Sequence, residues 1–219
     1  MEKTAYFEPD NVDRVAESML GELAEFRERH PASVDPARAA LVVLDVQEYF
    51  ADASSPAFVP SLPTIIPRIE ALVRVFKTAK RPAFLTRHVD STDPSGEMLR
   101  WWQRTLEVDD ERSELIEGMS SLDIPVVIKK HYDAFIDTDL DQRLRSAGIQ
   151  QVVVAGTLAH LCCETTARAA FMRGYEVFMT IDGIATFNDA FHRATLLNLS
   201  HGFASPVLCS EVTQWMGVR

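Results

Sequence analysis

The sequence predicts a three-layer α/β/α fold, in which helices cover both faces of a mostly parallel central sheet of about six strands. From Ala39 onward, short apolar runs alternate with amphipathic segments, several of which end in glycine, the residue preferred just after a helix. Continuous apolar runs are typical of strands buried on both faces of a parallel sheet. Because ligands bind at the carboxyl ends of such strands, the functional residues are expected directly after these runs.

Apolar runs and helical periods define the predicted elements of the main domain. The runs predicted to be strands are AALVVLDV (39–46), PAFLTR (82–87), PVVIK (125–129), QVVVAG (151–156), YEVFMT (175–180) and PVLC (206–209). The segments predicted to be helices are TIIPRIEALVRVFKTA (64–79), LDQRLRSAG (140–148), CCETTARAAFMRG (162–174) and AFHRATLLNLSHG (190–202). Residues 89–119 are polar, contain tryptophan and lack a clean period, which predicts a long loop or lid.

An N-terminal helical extension, residues 1–38, is predicted to precede the main domain at residues 39–219. Asp10 or Asn11 can cap this helix, which is expected to stop near His30 and Pro31. Its apolar residues recur every three or four positions and so share one stripe: Val12, Val15, Met19, Leu23 and Phe26.

Composition excludes several classes of protein. The chain has 219 residues, of which 32 are acidic and 22 basic, and its formal net charge is −10 at pH 7. This charge repels nucleic acid and anionic lipid, so neither nucleic acid nor a membrane is an expected partner. With no signal-peptide pattern and no long apolar span, we expect a cytoplasmic protein. Cysteines are odd in number, and Cys162 and Cys163 are adjacent, which predicts reduced thiols.

Three chemically active side chains follow predicted strands. Asp45 ends the first strand, Lys129 ends the third, and Cys162 or Cys163 begins the helix after the fourth. A thiol at a helix N-terminus beside an ammonium group can be a thiolate near neutral pH. Each residue also has a plain structural interpretation: a backbone acceptor for Asp45, a solvated strand end for Lys129, and an inert buried thiol. Their joint position at one sheet edge favours a site.

The same segments resemble a known family. AGTLAHLCCETTARAAFMRGYEVFMTIDGIAT resembles the signature of the isochorismatase-like cysteine hydrolases, a group that includes nicotinamidases, N-carbamoylsarcosine amidases and isochorismatases. ALVVLDVQEYF and VIKKHYDAFIDTDLDQRL resemble the family's Asp-bearing and Lys-bearing segments, and the likeness covers roughly residues 39–212. The signature positions that match are Gly156, Cys162, Thr166, Ala167, Gly174, Tyr175 and Asp182. The resemblance implies a Rossmann-like form of the predicted fold.

The resemblance also implies a catalytic arrangement. Asp45 would be the acid and base, Lys129 the amine, and Cys162 the nucleophile that forms a thioester with a small amide or N-carbamoyl substrate. A cis peptide between Thr157 and Leu158 is implied, as are oxyanion-binding N–H groups on Leu158 and Cys162. No cofactor is implied, and a homodimer or homotetramer is expected.

Departures from the family pattern keep two alternatives open. Ala159 and His160 resemble the isochorismatases proper, which hydrolyse a vinyl ether with the Asp and Lys and carry glycine at the position of Cys162. A non-catalytic scaffold or thiol sensor is the second alternative. The stretch EYFADASSPAF (48–58) lacks the Asp-x-His pair of the metal-binding branch, so no metal site is predicted.

Several residues near the predicted strand ends are candidates to bind a small-molecule substrate. They are Phe50, Arg87, His88, Trp101, Trp102, Tyr132 and His160. Packing at a subunit contact is the alternative for the two tryptophans, and a structural hydrogen bond is the alternative for the two histidines. His192 and Arg193 are predicted to be surface or interface groups.

Overall fold

A six-stranded parallel sheet forms the centre of the computed structural model, which describes residues 2–90, 96–104 and 106–217. Its strands, in the spatial order β3-β2-β1-β4-β5-β6, are β1 (Ala39–Leu44), β2 (Ala83–His88), β3 (Val126–Lys129), β4 (Gln151–Thr157), β5 (Glu176–Ala185) and β6 (Ser205–Val207). All of the pairings are parallel. The predicted fold is therefore confirmed.

Helices lie on both sides of this sheet. They are α1 (Val12–Glu22), α2 (Ala24–Arg29), α3 (Glu48–Ala51), α4 (Leu62–Thr78), α5 (Glu97–Trp102), α6 (Glu117–Ser120), α7 (Leu140–Ser146), α8 (Glu164–Met172), α9 (Asp189–Gly202) and α10 (Cys209–Trp215). A 3₁₀ turn at Glu111–Ser113 and a π-helical turn at Ala159–Cys163 complete the regular structure. None of the described helices combines the length and apolarity needed to cross a bilayer.

The strand order reverses between β1 and β4. β2 and β3 lie to one side of β1, whereas β5 and β6 lie beyond β4. A parallel sheet opens a crevice at such a switch point, outside the carboxyl ends of its two strands. β1 and β4 are buried along their whole length, which agrees with their uninterrupted apolar sequences.

A glycine allows β1 and β4 to approach closely at this crevice. Gly156 pairs with Leu44 and has a φ of +112°, in the left-handed region. A Cβ atom at position 156 would lie 2.0 Å from the Leu44 carbonyl oxygen. The next residue, Thr157, donates its hydroxyl to the Asp45 carbonyl oxygen at 3.0 Å, which joins the ends of the two strands.

The N-terminal segment is helical, but as two helices rather than one. Leu23, with φ −104° and ψ 9°, separates α1 from α2. Val12 and Met19 nevertheless pack in the same hydrophobic cluster as the sheet, and Phe7 before them is fully buried. The buried side chains of the N-terminal segment therefore belong to the core of the main domain.

His192 is buried, so the prediction that it lies at the surface is wrong. α9 turns this residue toward the N-terminal segment, where its ring packs edge-on against Tyr6 and Phe7 at centroid distances of 5.2 and 5.4 Å. The Tyr6 hydroxyl lies 2.7 Å from His192 Nδ1 and accepts the Thr186 N–H at 3.0 Å. Arg193 is half-buried and pairs with Glu22.

Residues 89–119 contain more regular structure than the predicted loop. α5, the 3₁₀ turn and α6 lie within this stretch, and residues 91–95 and 105 fall outside the described residues. Gln47 fixes part of it, because its side-chain amide donates to the His88 and Ser113 carbonyl oxygens at 2.9 and 2.6 Å. Its function as a lid stays a prediction.

Replacing Gly156 should disrupt the β1–β4 contact. Gly156→Ala is expected to lower the free energy of unfolding by about 3 kcal/mol or more, since its neighbour is backbone that cannot move aside. Gly148→Ala is the control, because that glycine also has a positive φ but open space around it, and should cost about 1 kcal/mol. Urea denaturation measures both; equal losses would contradict the close approach.

Acid should destabilise the fold through His192. Burial, with a smaller contribution from Arg193, lowers the pKa of His192 from 6.5 to about 3. The unfolded chain therefore binds this proton more tightly, and the stability is lost as the pH falls below 6.5 toward 3. Between about pH 7.5 and pH 5, His192→Gln should lose about 2 kcal/mol less unfolding free energy than the parent. Identical pH dependence in the two proteins would contradict this.

Candidate active site

A cavity of about 470 Å³ opens at the carboxyl ends of the strands. Five of the predicted substrate-binding residues line it, namely Phe50, His88, Trp102, Tyr132 and His160. Leu158 and Cys162 also line it. The wall is mainly apolar, so this cavity can enclose the body of a small organic molecule.

Asp45 lies at the end of β1, where the backbone takes a positive φ of 49°. This conformation is unusual outside glycine but is tolerated by aspartate. The side chain is fully buried. Thr86 of β2 holds it in place, donating its hydroxyl to Oδ1 at 2.6 Å and accepting the Asp45 N–H at 3.1 Å. The carboxylate therefore has a fixed orientation.

Lys129 reaches this carboxylate from two strands away. It ends β3, about 10 Å from β1 at normal strand spacing, and its long side chain spans the gap. Nζ lies 2.7 Å from Asp45 Oδ2, 3.4 Å from Cys162 Sγ and 3.0 Å from the His131 carbonyl oxygen. Burial lowers the pKa of Lys129, but Asp45 and Cys162 together raise it by more. The pKa therefore lies above its ordinary value, and the amine stays protonated.

Cys162 lies in the π-helical turn between β4 and α8, with its side chain against Lys129. Burial raises the pKa of this thiol; Lys129 opposes the rise, whereas the Asp45 carboxylate adds to it. The expectation of a thiolate near neutral pH is therefore wrong for the free protein. Asp45 already pairs with the ammonium, so the thiol remains neutral beside a carboxylate that can take its proton.

The turn that precedes Cys162 has the geometry that the resemblance implies. The peptide bond between Thr157 and Leu158 is cis. Leu158 and Cys162 face the same cavity, at opposite ends of the turn. Backbone N–H groups of these two residues are the candidate oxyanion donors.

Hydrogen bonds hold the cavity wall together. Trp102 Nε1 donates to the Tyr132 hydroxyl at 2.6 Å, which connects α5 to the loop after β3. His160 stacks on the Phe191 ring at 4.3 Å, and its Nδ1 contacts the Thr186 hydroxyl. Burial lowers the pKa of His160 to about 4, so its imidazole is neutral at pH 7.

Two predicted substrate-binding residues do not line the cavity. Arg87 Nε donates to the Ser113 carbonyl oxygen at 2.9 Å and Nη2 donates to that of Val108 at 2.6 Å. Its guanidinium therefore stabilises the segment after α5, where the Ser113 carbonyl oxygen also accepts the side-chain amide of Gln47. Trp101, which is 77% exposed, lies on the outer side of α5, while Trp102 faces inward.

Sequence reasoning missed residues that position the site. Thr86 and Gln47 are fully buried polar side chains, and both bond to the ends of β1 and β2. Thr166, a signature position, accepts the Ala134 N–H at 3.1 Å and so fixes the loop after Lys129. The available signals were a polar residue within the apolar run of β2, for Thr86, and a polar residue two positions after Asp45, for Gln47.

His88 and Asp90 are the polar pair in the cavity that could contact a metal ion. His88 Nε2 lies 3.0 Å from Asp90 Oδ1. Within the described part of the chain, no group of three His, Cys, Asp or Glu side chains is arranged to hold a metal. His88 and Asp90 therefore form a hydrogen-bonded pair in the cavity wall.

Comparisons with known proteins agree with the fold and the motifs. The sequence model of the isochorismatase domain family matches residues 39–211. Nicotinamidase 3 from Arabidopsis thaliana is 35% identical over 193 residues, which cover 86% of this chain and 92% of that protein. Enterobactin synthase component B from Escherichia coli is 31% identical over 81% of this chain and 63% of its own length.

Solved structures give the same result. A cysteine hydrolase from Pseudomonas syringae pv. phaseolicola 1448A is 27% identical and has a TM-score of 0.80, covering 85% of this chain and 95% of that one. An N-carbamoylsarcosine amidase from Thermoplasma acidophilum is 25% identical with a TM-score of 0.69, covering 78% and 96% of the respective chains. The predicted resemblance is thus confirmed.

The charges around Cys162 predict opposite effects on its alkylation. Asp45→Asn removes the carboxylate that raises the thiol pKa, so the apparent pKa in the pH profile of alkylation by iodoacetamide should fall. Lys129→Met removes the opposing cation and should raise that apparent pKa. Peptide mass spectrometry follows Cys162, with the buried Cys209, which neither Asp45 nor Lys129 affects, as internal control. A higher apparent pKa of Cys162 in Asp45→Asn would contradict the assigned charge balance.

Proposed function

This chain belongs to the isochorismatase family, and on that premise we propose that it is a cysteine hydrolase acting on a C–N bond of a small amide or N-carbamoyl compound. One observation carries the proposal: the buried carboxylate of Asp45, ammonium of Lys129 and thiol of Cys162 meet at one end of a substrate-sized cavity. Two of the similar proteins support the proposal by their names, which are nicotinamidase and N-carbamoylsarcosine amidase.

The first half of the reaction forms a thioester. Asp45 accepts the thiol proton as Cys162 Sγ attacks the substrate carbonyl carbon, which avoids a free thiolate in a buried site. Lys129 stays protonated and balances the negative charge as it moves from the carboxylate, through sulfur, to the carbonyl oxygen. The carbonyl oxygen becomes an oxyanion, which accepts the N–H groups of Leu158 and Cys162.

Collapse of the tetrahedral intermediate breaks the C–N bond. The electron pair of that bond leaves with nitrogen, and Asp45 returns its proton to the departing amine. A water molecule then attacks the thioester and gives a proton to Asp45. The C–S bond breaks, the acid product departs, and the proton on Asp45 returns to sulfur, which restores the neutral thiol.

Vinyl ether hydrolysis is the second candidate. Ala159 and His160 resemble the isochorismatases, and His160 lines the cavity with a neutral imidazole. That reaction needs Asp45 as the acid that protonates the vinyl group but makes no bond to Cys162. The retained thiol at the centre of the charge cluster favours the amidase.

Replacing Cys162 separates the two candidates. On a panel of small amides, N-carbamoyl compounds and chorismate-like vinyl ethers, Cys162→Ala should lose about a thousandfold or more in kcat/KM on the best amide or carbamoyl substrate, because the nucleophile is gone. Cys163→Ala, next to it in the same turn, is the matched control and should retain turnover. Full activity of Cys162→Ala on its substrate would contradict covalent catalysis.

A further inference from the structure

Two basic residues line the cavity that contains Cys162, in addition to Lys129 beneath it. They are Lys3, in the N-terminal segment, and Arg104, just after α5. Neither belongs to the matched signature segments, and Lys3 lies outside residues 39–211 that match the family. Their position gives one part of a mainly apolar cavity a positive charge.

Lys3 is held in this position by the contacts of its own segment. The Thr4 N–H donates to the Phe187 carbonyl oxygen at 2.9 Å, and Lys3 Nζ lies 4.3 Å from the centre of the Phe187 ring. Nζ also donates to the Pro56 carbonyl oxygen. Further along, the Tyr6 and Phe7 N–H groups donate to the Ser61 hydroxyl at 3.0 Å. The N-terminal segment thus forms part of the cavity wall.

The charge of Lys3 has no counterion among the residues that the structure describes. Its polar contacts there are to a carbonyl oxygen and an aromatic ring. Arg104 lines the same cavity as Lys3. Burial lowers the pKa of Lys3, and the charge of Arg104 lowers it further.

The acidic side chain of the cavity wall is already engaged. Asp90 contacts His88 Nε2 at 3.0 Å and accepts the Leu106 N–H at 2.6 Å. Asp45, below Cys162, is neutralised by Lys129 at 2.7 Å. In a chain with a formal net charge of −10, two cations that form no ion pair with any described carboxylate are an exception that favours an anionic ligand.

We propose that Lys3 and Arg104 bind an anionic group of the substrate, a carboxylate or a group of similar charge and size, and so select anionic over neutral amides. This inference rests on the proposed function for the amide end of the substrate. The apolar side chains that line the same cavity would contact the body of the molecule. The substrate class is then a small amide or N-carbamoyl compound with one anionic end.

The charge preference can be measured at Cys162 with two reagents of nearly equal size, iodoacetate and iodoacetamide. The ratio of their alkylation rates, divided by the same ratio for free N-acetylcysteine, reports how strongly the cavity favours an anion. We expect Lys3→Met and Arg104→Met each to lower this ratio about twofold to fivefold, the range for a partly exposed charge pair. Added salt should lower the ratio in the parent and less so in the variants.

Matched variants distinguish charge from structure. Lys3→Arg keeps the positive charge and should retain most of the preference, whereas Lys80→Met removes an exposed lysine elsewhere and should leave the ratio unchanged. A ratio unaffected by Lys3→Met and Arg104→Met would overturn the proposal. A loss produced equally by Lys80→Met would also overturn it, because net charge alone would then explain the preference.

Equilibrium binding separates this proposal from the proposed function. In Cys162→Ala, where no covalent step can occur, benzoate should bind more tightly than benzamide. Adding Lys3→Met should weaken the binding of benzoate about twofold to fivefold and have little effect on the binding of benzamide. Equal affinity for benzoate and benzamide would overturn the anion site. If Cys162 in the parent reacts with neither alkylating reagent while benzoate binding depends on Lys3, covalent catalysis fails and the anion site stands.

Discussion

Two opposite charges, the Asp45 carboxylate and the Lys129 ammonium, are buried side by side at the carboxyl edge of the sheet, with Nζ and Oδ2 2.7 Å apart. Either charge alone would be costly in this position, because its desolvation would not be offset. The pair therefore requires its surroundings to be built accurately. Thr86 orients the carboxylate, and Gly156 allows β4 to approach β1 so that Cys162 reaches the same point.

This ion pair also determines how the thiol can work. Lys129 alone would favour a thiolate, but its charge is already balanced by Asp45, and burial of Cys162 favours the neutral form. Proton transfer to Asp45 and attack on the substrate then belong to the same step, in which the negative charge passes from the carboxylate to the substrate oxyanion and the total charge of the three groups plus the substrate stays constant. A neutral resting thiol is also less exposed to adventitious oxidation, which follows thiolate character.

The alternation of apolar runs is sufficient to predict the sheet, and the strand ends point to Asp45, Lys129 and one of the two adjacent cysteines, of which the family resemblance selects Cys162. The hydrogen-bond partners of side chains are harder to predict, because one polar residue can bond to several groups. Arg87 was read as a substrate ligand but satisfies carbonyl groups of a nearby segment, and His192 was placed at the surface although Tyr6 covers it. Both errors arise from long-range contacts, which lie more than a hundred residues apart for the latter pair.

Trapping the covalent intermediate tests the central claim most directly. A reaction with an amide substrate is quenched in acid within the first turnovers, digested, and analysed by mass spectrometry. The account predicts that the acyl or carbamoyl group of the substrate is found as a thioester on the peptide that contains Cys162. Hydrolysis that proceeds at full rate with no such adduct, in the parent and in Cys162→Ala alike, would contradict it.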